Sequence, residues 1–552
     1  MRKAKVVMEA ISVAAEPQTS LWASLVEAVR GSHRDYTAGS LNRAILLLAV
    51  PMVLEMVLES LFAVVDVFWV GRLGANAVAT VGLTESMLSL VFAVGMGLSL
   101  STTAMVARRI GEKDPEGAAV AAVQSIALGI MVSVAIGVPC FLLAPRLLRL
   151  MGASPEIISA GSGYTRICLG GSCAVLLLFL NNAIFRGAGD AAIAMRLLWV
   201  SNIINLILDP CLIFGVGPFP RMGVTGAALA TLIGRSVGVI YQFYRLLKGT
   251  ERIRILTRQL HLRLDVLWRL VRVSLTGILQ FAIAHTSWIG LVRIVSIFGA
   301  AALAGYTIAI RIVIFVILPS WGLSNAAATL VGQNLGAGKP DRAETAVWRT
   351  GLYNMIFLGT VGVLFVVFAE PVVRMFTQDA AVVPLAASCL RIVSCGNIGY
   401  AYGMVMLQAF NGAGDTVTPT IVNFLGSGCW RFRWLIGWRF ECRCSPRERF
   451  GRLWWRKGRL RGPARFCFGR GGGSGRRFER GLGKSFWGLV SGCAGGAPAR
   501  QPAGRRRYLT LLLEAVRFVL AGAGQDQGYV VGLFVVTDPV LYCHDDDLPD
   551  LG

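Results

Sequence analysis

The strongest constraint on this chain is an internal repeat, because residues 51–428 contain one half-protein twice at a constant offset of 225 positions. Three pairs of segments carry the repeat: 74–77 with 299–302, 106–115 with 331–340, and 185–190 with 410–415. The last pair reads Phe-Arg-Gly-Ala-Gly-Asp in the first copy and Phe-Asn-Gly-Ala-Gly-Asp in the second. One offset aligns all three pairs without a gap, so a duplicated unit explains them better than shared composition. The chain is therefore expected to fold as two similar lobes.

Both copies are rich in long apolar runs. The chain is 55% hydrophobic and only 15% charged, and a helix that crosses a bilayer needs about 20 mostly apolar residues. Ten such runs are recognisable, near residues 45–70, 78–106, 118–144, 158–185, 195–217, 223–247, 270–299, 302–330, 346–369 and 381–410. An eleventh begins at Thr416 and fails near Gly428. The fold class is therefore an all-α integral membrane protein of two six-helix lobes, with ten helices and a fragment recognisable.

The runs divide the chain into five regions. These are a leader (1–44), an N-lobe (45–250, helices 1–6), a linker (251–269), a C-lobe (270–428, helices 7–10 and the start of 11) and a tail (429–552). Basic residues concentrate in the leader and in the loops on one side, which places the N-terminus in the cytoplasm and the protein in the cytoplasmic membrane. Residues 21–26 fit a short amphipathic helix on the inner membrane face or a disordered leader.

The tail differs in composition from the rest of the chain. Residues 429–510 hold 21 Lys and Arg, of which 19 are Arg, against three acidic residues. Apolar periodicity also stops just where the repeat demands an eleventh helix. An arginine-rich nucleic-acid-binding segment would normally use Lys as well. A shifted reading frame near codons 425–430 explains the region better. The sequence therefore predicts no nucleic-acid partner, and the net charge of +23 is not interpreted as a single physical property of the protein.

Acidic residues inside the apolar runs are the candidate functional residues, because charge at the bilayer centre is costly and normally faces a cavity. Duplicated lobes that meet at a central cavity are a common transporter architecture. Lobe one carries five acids within its spans, namely Glu55, Glu59, Asp66, Glu85 and Asp209. Lobe two has none between Asp265 and Asp341. Duplication alone would have kept the lobes alike, so this asymmetry favours a function located in lobe one.

Helical geometry groups these residues into two polar stripes. Glu55, Glu59 and Asp66 fall within about 40° of one another on the first helix, at about 100° per residue. The same arithmetic places Asn202, Asn205 and Asp209 within about 60° on the fifth helix. Both helices run outward, so Asp66 and Asp209 lie in the outer half and can form one hydrated pocket. Carboxylate and amide oxygens suit Na⁺, whereas two desolvated carboxylates close together suit H⁺; the sequence leaves both open.

Other interpretations of these residues remain open. Glu55 and Glu59 could pair with Arg43 at the entrance of the first helix, and Glu85 could be a helix-terminal residue. Asp66 and Asp209 could form structural ion pairs, and Asn205 an interhelical hydrogen bond. Four arginines within the spans are assigned to snorkelling or to pairing with a carboxylate: Arg235, Arg293, Arg311 and Arg391.

Enzymatic sites have little support in the sequence. The four histidines are scattered, and the Gly-rich loops lack the strand-turn-helix setting of a phosphate cradle. Six cysteines in or beside the apolar runs lack Cys-x-x-Cys spacing and are expected to be buried thiols. No catalytic residue, metal centre or cofactor is predicted.

Several motifs resemble the MATE (multidrug and toxic compound extrusion) family. They are Pro51, residues 65–74 (Val-Asp-Val-Phe-Trp-Val-Gly-Arg-Leu-Gly), residues 205–210 (Asn-Leu-Ile-Leu-Asp-Pro), the two Gly-Ala-Gly-Asp loops, and residues 330–338 (Leu-Val-Gly-Gln-Asn-Leu-Gly-Ala-Gly). The set spans residues 45–428 and is specific as a set. The resemblance implies twelve helices in two lobes, a V-shaped cavity, and export coupled to Na⁺ or H⁺.

Within the family, the pattern is similar to the DinF-like and archaeal branch, whose cation site lies in the N-lobe. Asp66, Asn205 and Asp209 match that site by type and spacing, with Asn202 beside them, and Pro51 matches a proline associated with bending of the first helix. The expected protein is a monomeric antiporter in the lipid bilayer that exports amphipathic, often cationic drugs or toxic compounds. Two alternatives stay open: a flippase for lipid-linked precursors, and an inactive product of a frame-disrupted gene.

Overall fold

Helices form all the regular secondary structure in the part of the chain that the structure, a computed structural model, describes: residues 20–32, 34–250 and 252–424. The helices are α1 (Leu21–Arg30), α2 (Leu41–Gly71), α3 (Ala75–Gly111), α4 (Pro115–Leu150), α5 (Pro155–Gly170), α6 (Ser172–Ala188), α7 (Ala191–Phe214), α8 (Val224–Lys248), α9 (Leu264–Val295), α10 (Ala300–Gly336), α11 (Pro340–Val367), α12 (Ala369–Arg374), α13 (Val383–Cys395), α14 (Asn397–Ala413) and α15 (Val417–Asn423). The all-helical prediction is confirmed.

Nine helical stretches among the described residues are long and apolar enough to cross a membrane. They are Leu41–Phe62, Asn76–Gly111, Pro115–Leu150, Pro155–Ala188, Ala191–Phe214, Val224–Lys248, Leu264–Phe298, Ala300–Gly336 and Pro340–Val367. The tenth apolar run forms the shorter pair α13 and α14, which is broken at Gly396. Its counterpart in lobe one, α5 and α6, is broken at the repeat-equivalent Gly171. The frameshift predicted for residues 429–552 lies outside the described residues and stays a prediction.

The two Gly-Ala-Gly-Asp loops adopt the same turn in the two lobes. Gly189 caps the C-terminus of α6 with φ 89°, and Gly414 caps α14 with φ 85°. This left-handed conformation is common at helix ends and strongly favours glycine, which has no Cβ to clash. The motif is thus repeated because both lobes reverse the chain direction in the same way.

The lobes meet through a reciprocal glycine contact between α3 and α10. A Cβ on Gly111 would lie 2.0 Å from the carbonyl oxygen of Gln333, and one on Gly336 would lie 2.2 Å from that of Arg108. Gly111 and Gly336 are repeat equivalents, and so are Arg108 and Gln333. Each lobe therefore presents the same surface to the other, as expected for a pseudo-two-fold relation. We call the end of the molecule where α3 and α10 terminate the basic end, because the loops that follow both helices belong to the side rich in Lys and Arg.

Contacts between the lobes continue to the middle of the spans. Gly97 on α3 lies against the backbone of Ile278 on α9, and Gly322 on α10 lies against the backbone of Met52 on α2. Nearer the opposite end, nothing lies within 4 Å of a Cβ built on Gly82 of α3 or on Gly299 before α10, and Glu85 on α3 interacts electrostatically with Arg311 on α10. From this decrease in close contacts we infer that the lobes diverge from the basic end and enclose a cleft that opens at the opposite end.

Replacing Gly111 with alanine should weaken this contact between the lobes. Because the backbone of Gln333 occupies the position of the new methyl group, the helices must separate, and overpacking of this kind costs about 1–3 kcal/mol. We expect a lower midpoint of thermal unfolding for the purified protein. The matched control is Gly82→Ala on the same helix, where nothing lies within 4 Å of the added Cβ. Equal midpoints for the two variants would contradict the close packing described.

Candidate functional site

The two carboxylates predicted to share a pocket are brought together in lobe one. Asp66 lies near the far end of α2 and is partly buried, whereas Asp209 on α7 is 0% exposed. The two side chains are close enough to interact electrostatically. Because α2 and α7 both run away from the basic end, their polar stripes meet in the half of the lobe nearer the open end of the cleft, as the sequence predicts.

Asn205 connects Asp209 to the neighbouring helix α8. Its Nδ2 donates to Asp209 Oδ1 at 3.3 Å and to Thr231 Oγ1 at 3.0 Å. The close approach of α8 depends on Gly234, since a Cβ there would lie 2.7 Å from the carbonyl oxygen of Ser201 and 3.2 Å from the Cβ of Asn205. Asn205 is 3% exposed, so these hydrogen bonds hold its side chain in one orientation.

Several buried polar atoms in this pocket have no protein partner. They are Oδ1 of Asp66, Oδ1 of Asn205, Oδ2 of Asp209 and Nδ2 of Asn202. Buried polar groups are nearly always hydrogen-bonded, so a cluster of unpaired oxygens calls for a ligand, a proton or water. Two carboxylates and one amide suit a small hard cation or a proton. They lack the imidazole and thiolate ligands that most transition metals favour, and among the described residues no group of three His, Cys, Asp or Glu side chains is placed to hold a metal ion.

The pocket also includes charged groups that lie toward the cleft. Glu85 lies inside α3 and not at its end, so the helix-terminal interpretation is wrong. Glu85 and Arg235 both interact electrostatically with Asp66, and the guanidinium of Arg235 lies 5.9 Å from the ring centroid of Phe92. Arg235 therefore partly balances the negative charge of the pocket, and Glu85 is the carboxylate that connects the pocket to the cleft.

Glu55 belongs to a different environment, a buried ion pair nearer the basic end. Its Oε1 accepts from Arg186 Nη1 at 3.2 Å and from Asn182 Nδ2 at 3.2 Å. Gln242 Nε2 in turn donates to Asn182 Oδ1 at 2.7 Å. The side chains of Glu55 and Arg186 are 2% and 11% exposed. This network joins α2, α6 and α8 and gives Glu55 a structural partner.

Arg43, which the sequence offered as one alternative partner for Glu55 and Glu59, makes a different contact. Arg43 pairs with Glu27 of α1, Nη2 to Oε2, at 2.6 Å. Twelve residues of helix separate Arg43 from Glu55, which is about 18 Å along the axis, so a pair between them is out of reach. Glu59 is partly buried and interacts electrostatically with Glu55; its role in the site stays a prediction.

Sequence reasoning missed two side chains that complete these sites. Thr231 was not singled out, and Arg186 was noted only as part of a repeated loop. Arg235 was assigned to snorkelling or to pairing with a carboxylate, and its interaction with Asp66 fits the second of these. The usable signal for Arg186 was its position, because lobe two has Asn411 there. An arginine that appears in only one copy of a repeat suggests a partner that is also unique to that copy, and Glu55 is such a residue.

The described part of the C-lobe does not repeat the acidic pocket. The repeat equivalent of Asp66 is Leu291, which is 4% exposed and part of an apolar core cluster. The equivalent of Asp209 falls at position 434, outside the described residues. Duplication therefore preserved the packing of the first helix in each lobe, while the charge at this position is specific to lobe one.

A two-lobed, all-helical membrane protein with a charged pocket in one lobe and a cleft between the lobes has the architecture of a secondary transporter. The sequence model of the MatE family matches residues 51–211 and 278–431, and the chain belongs to this family. It is accordingly a transporter and not an enzyme. Membership in the DinF-like and archaeal branch stays a prediction.

Known relatives and structures agree with this assignment. The chain is 29% identical over 396 residues to the probable multidrug resistance protein NorM of Thermotoga maritima, which covers 70% of this chain and 83% of that protein. It is 21% identical over 380 residues to the multidrug export protein MepA of Staphylococcus aureus, covering 68% and 83%. A solved outward-facing multidrug resistance MATE transporter of the MOP superfamily is 28% identical with a TM-score of 0.66, covering 75% of this chain and 89% of that one.

Proposed function

We propose that this protein is a cation-coupled antiporter that exports amphipathic, often cationic drugs across the cytoplasmic membrane. The observation that carries the coupling is the set of unpaired oxygens of Asp66, Asn205 and Asp209 in one buried pocket. The drug substrates are suggested by the named activities of the relatives NorM and MepA. Because two lobes of one chain enclose the cleft, we propose that the protein transports its substrate as a monomer.

The orientation follows from the charges of the basic end. Loops rich in Lys and Arg remain in the cytoplasm, so the basic end faces inward and the N-terminus is cytoplasmic. The described arrangement, closed at the basic end and open at the other, is then the outward-open state. Alternating access requires a second state in which the lobes part at the basic end and meet at the other.

The pocket can link cation binding to this change. A ligand shifts a conformational equilibrium only if it binds one state more tightly than the other. An external cation that reaches Asp66 and Asp209 neutralises two close carboxylates and stabilises the arrangement of α2 in which they converge. Pro51 is the expected bending point of that helix, because it lacks the N–H of a normal helical hydrogen bond. Rearrangement of α2 would then displace a drug held in the cleft.

The cleft can hold the substrate near charged groups of both signs. Glu85 is exposed and is the proposed counter-ion for an organic cation. Arg311 faces it from the C-lobe, and this arginine is the one observation that favours the alternative substrate, a lipid-linked pyrophosphate. Because the carboxylates of Glu85 and Asp66 outnumber the guanidinium of Arg235 on the N-lobe side, we favour organic cations.

Transport by the full chain in proteoliposomes tests the proposal and identifies the coupling ion. Vesicles loaded with ethidium receive either a tenfold Na⁺ gradient at equal pH or a one-unit pH gradient without Na⁺, each worth about 1.4 kcal/mol per ion. We expect one of the two gradients to drive ethidium movement above that of protein-free vesicles. Competition by a lipid pyrophosphate but not by organic cations would instead support the flippase. No transport under either gradient would support the inactive product.

A further inference from the structure

The segment just before the first span lies between the two lobes at the basic end. We call residues 34–39, between α1 and α2, the strap. Tyr36 and Thr37 are only 2% and 5% exposed, although the segment is short and has no regular structure of its own. The strap is continuous with α2 and therefore belongs to the N-lobe, and contacts that it makes with the C-lobe join the two lobes.

The C-lobe holds the strap by its backbone carbonyls. Arg342 at the start of α11 donates from Nη1 to Gly39 O at 3.0 Å, and from Nη2 to Ala38 O at 2.9 Å and to Tyr36 O at 3.4 Å. Lys339 Nζ donates to Thr37 O at 2.8 Å. Two cationic side chains thus make four charge-assisted hydrogen bonds to one short segment, and such bonds are stronger than neutral ones.

The N-lobe holds the other side of the strap. The guanidinium of Arg252, in the linker after α8, lies 4.4 Å from the ring centroid of Tyr36 and donates to Arg34 O. Tyr36 OH donates to Gly189 O at 3.4 Å. Lys113, in the loop between α3 and α4, pairs with Asp35. The strap is therefore fixed on its own lobe and presents its carbonyls to the other.

This arrangement is not a consequence of the repeat. The N-lobe positions equivalent to Lys339 and Arg342 are Asp114 and Gly117, which could not make the same contacts. The two cations therefore occur only in the lobe that faces the strap. Their hydrogen bonds form only while the lobes are together at the basic end, and they must break when the lobes part there.

We propose that the strap is a latch that stabilises the arrangement closed at the basic end, through the hydrogen bonds of Lys339 and Arg342 to its carbonyls. Loss of these bonds should favour separation of the lobes at the basic end. The inference depends on the contacts alone and not on the identity of the coupling ion or the drug, so it stands or fails separately from the proposed function.

A buried position at the lobe interface reports the separation. Ala107 on α3 is 0% exposed, and its Cβ lies 2.7 Å from where a Cβ on Gly332 of α10 would be. Ala107→Cys is introduced into the full chain with the twelve native cysteines replaced by alanine. A water-soluble maleimide then modifies the new thiol only when the lobes part, and its rate of modification in the purified protein measures that opening.

The double variant Lys339→Ala/Arg342→Ala should react about fivefold faster or more, the lower end of typical coupling between two sites. The matched control is Lys113→Ala, which removes a cation that pairs with Asp35 of the strap within the N-lobe. Burial alone raises the pKa of Asp35, but hydrogen bonds from Lys113 and Thr37 outweigh it and lower that pKa to about 2. Asp35 is therefore ionised at the neutral pH of the assay, so the control breaks an ion pair that holds the strap on its own lobe.

An unchanged rate in the double variant, or an equal acceleration in Lys113→Ala, would overturn the latch. Arg342→Lys keeps the charge but loses the planar fork that reaches three carbonyls, so an intermediate rate is expected. If size-exclusion chromatography shows that the double variant is misfolded, the test rests on Arg342→Lys. A modification rate for Arg342→Lys equal to that of the parent protein would then overturn the proposal.

Discussion

Replacing Asp209 with asparagine should abolish drug export and leave the protein at least as stable as before. Asparagine has the same shape, and its Oδ1 can still accept the hydrogen bond from Asn205 Nδ2. It cannot neutralise a bound cation or carry a proton. Without preferential cation binding to one state, the gradient no longer shifts the equilibrium between states. The same reasoning applies to Asp66→Asn.

The measurement is ethidium export by proteoliposomes under the gradient that drives the parent protein. We expect the rate to fall by more than about tenfold, since coupling free energies are typically 1–3 kcal/mol. The midpoint of thermal unfolding should stay the same or rise, because the change removes charge from a buried pair of repelling carboxylates. Functional residues often carry this kind of cost in stability.

The control is Asp265→Asn, an exposed carboxylate at the start of α9 whose side chain is 57% exposed. It should export ethidium at the parental rate. If Asp66→Asn or Asp209→Asn also exported at that rate, the pocket would not be the coupling site. A large drop in the unfolding midpoint together with the lost export would instead indicate that the carboxylate has a structural role.

The second large effect concerns the buried ion pair of Glu55 and Arg186. Replacing either residue with alanine leaves the other charge buried without its partner, which typically destabilises a protein by about 3–5 kcal/mol. Solvent screening reduces this destabilisation only slightly, because the side chains of Glu55 and Arg186 are 2% and 11% exposed. The double variant Glu55→Leu/Arg186→Met removes both charges at once. We expect it to recover most of the loss, as apolar replacements of buried pairs often do.

Unfolding midpoints of the purified variants measure these differences. Glu116→Ala is the control, because its pair with Arg258 is exposed on both sides and such pairs contribute little. If Glu55→Ala were as mild as this control, Glu55 would not be held by Arg186. It would then return to the set of candidate ion-coupling residues beside Glu59 and Asp66.

Much of the fold could be predicted because its signals are local or repetitive. Apolar runs of bilayer length predict the spans, and the offset of 225 positions predicts two lobes of the same topology. The helical period of 3.6 residues determines which side chains share a face, so Asn202, Asn205 and Asp209 could be grouped without a structure. Asp66 and Asp209 could be placed at similar depth because both helices run in the same direction.

The partners of these side chains could not be predicted in the same way. Sequence spacing gives the face of a helix but not the neighbour that this face contacts. Arg186 lies 131 residues after Glu55, and Thr231 on α8 reaches Asn205 across a contact that Gly234 makes possible. The sequence offered Arg43, at the entrance of the first helix, as one partner for Glu55. The tertiary structure instead brings the guanidinium of Arg186 on α6 to 3.2 Å from the carboxylate of Glu55.

The sequence by itself thus determined the membrane-spanning helices, the duplication and the lobe that carries the acidic residues, since hydropathy, repetition and helical period are properties of the chain. Only the tertiary structure decided which acids share a pocket, which one is neutralised by an arginine, and how the strap joins the lobes. Those outcomes depend on distances between segments far apart in sequence. The reciprocal contact of Gly111 and Gly336 shows why: each glycine is needed because of a backbone that approaches it from the other lobe.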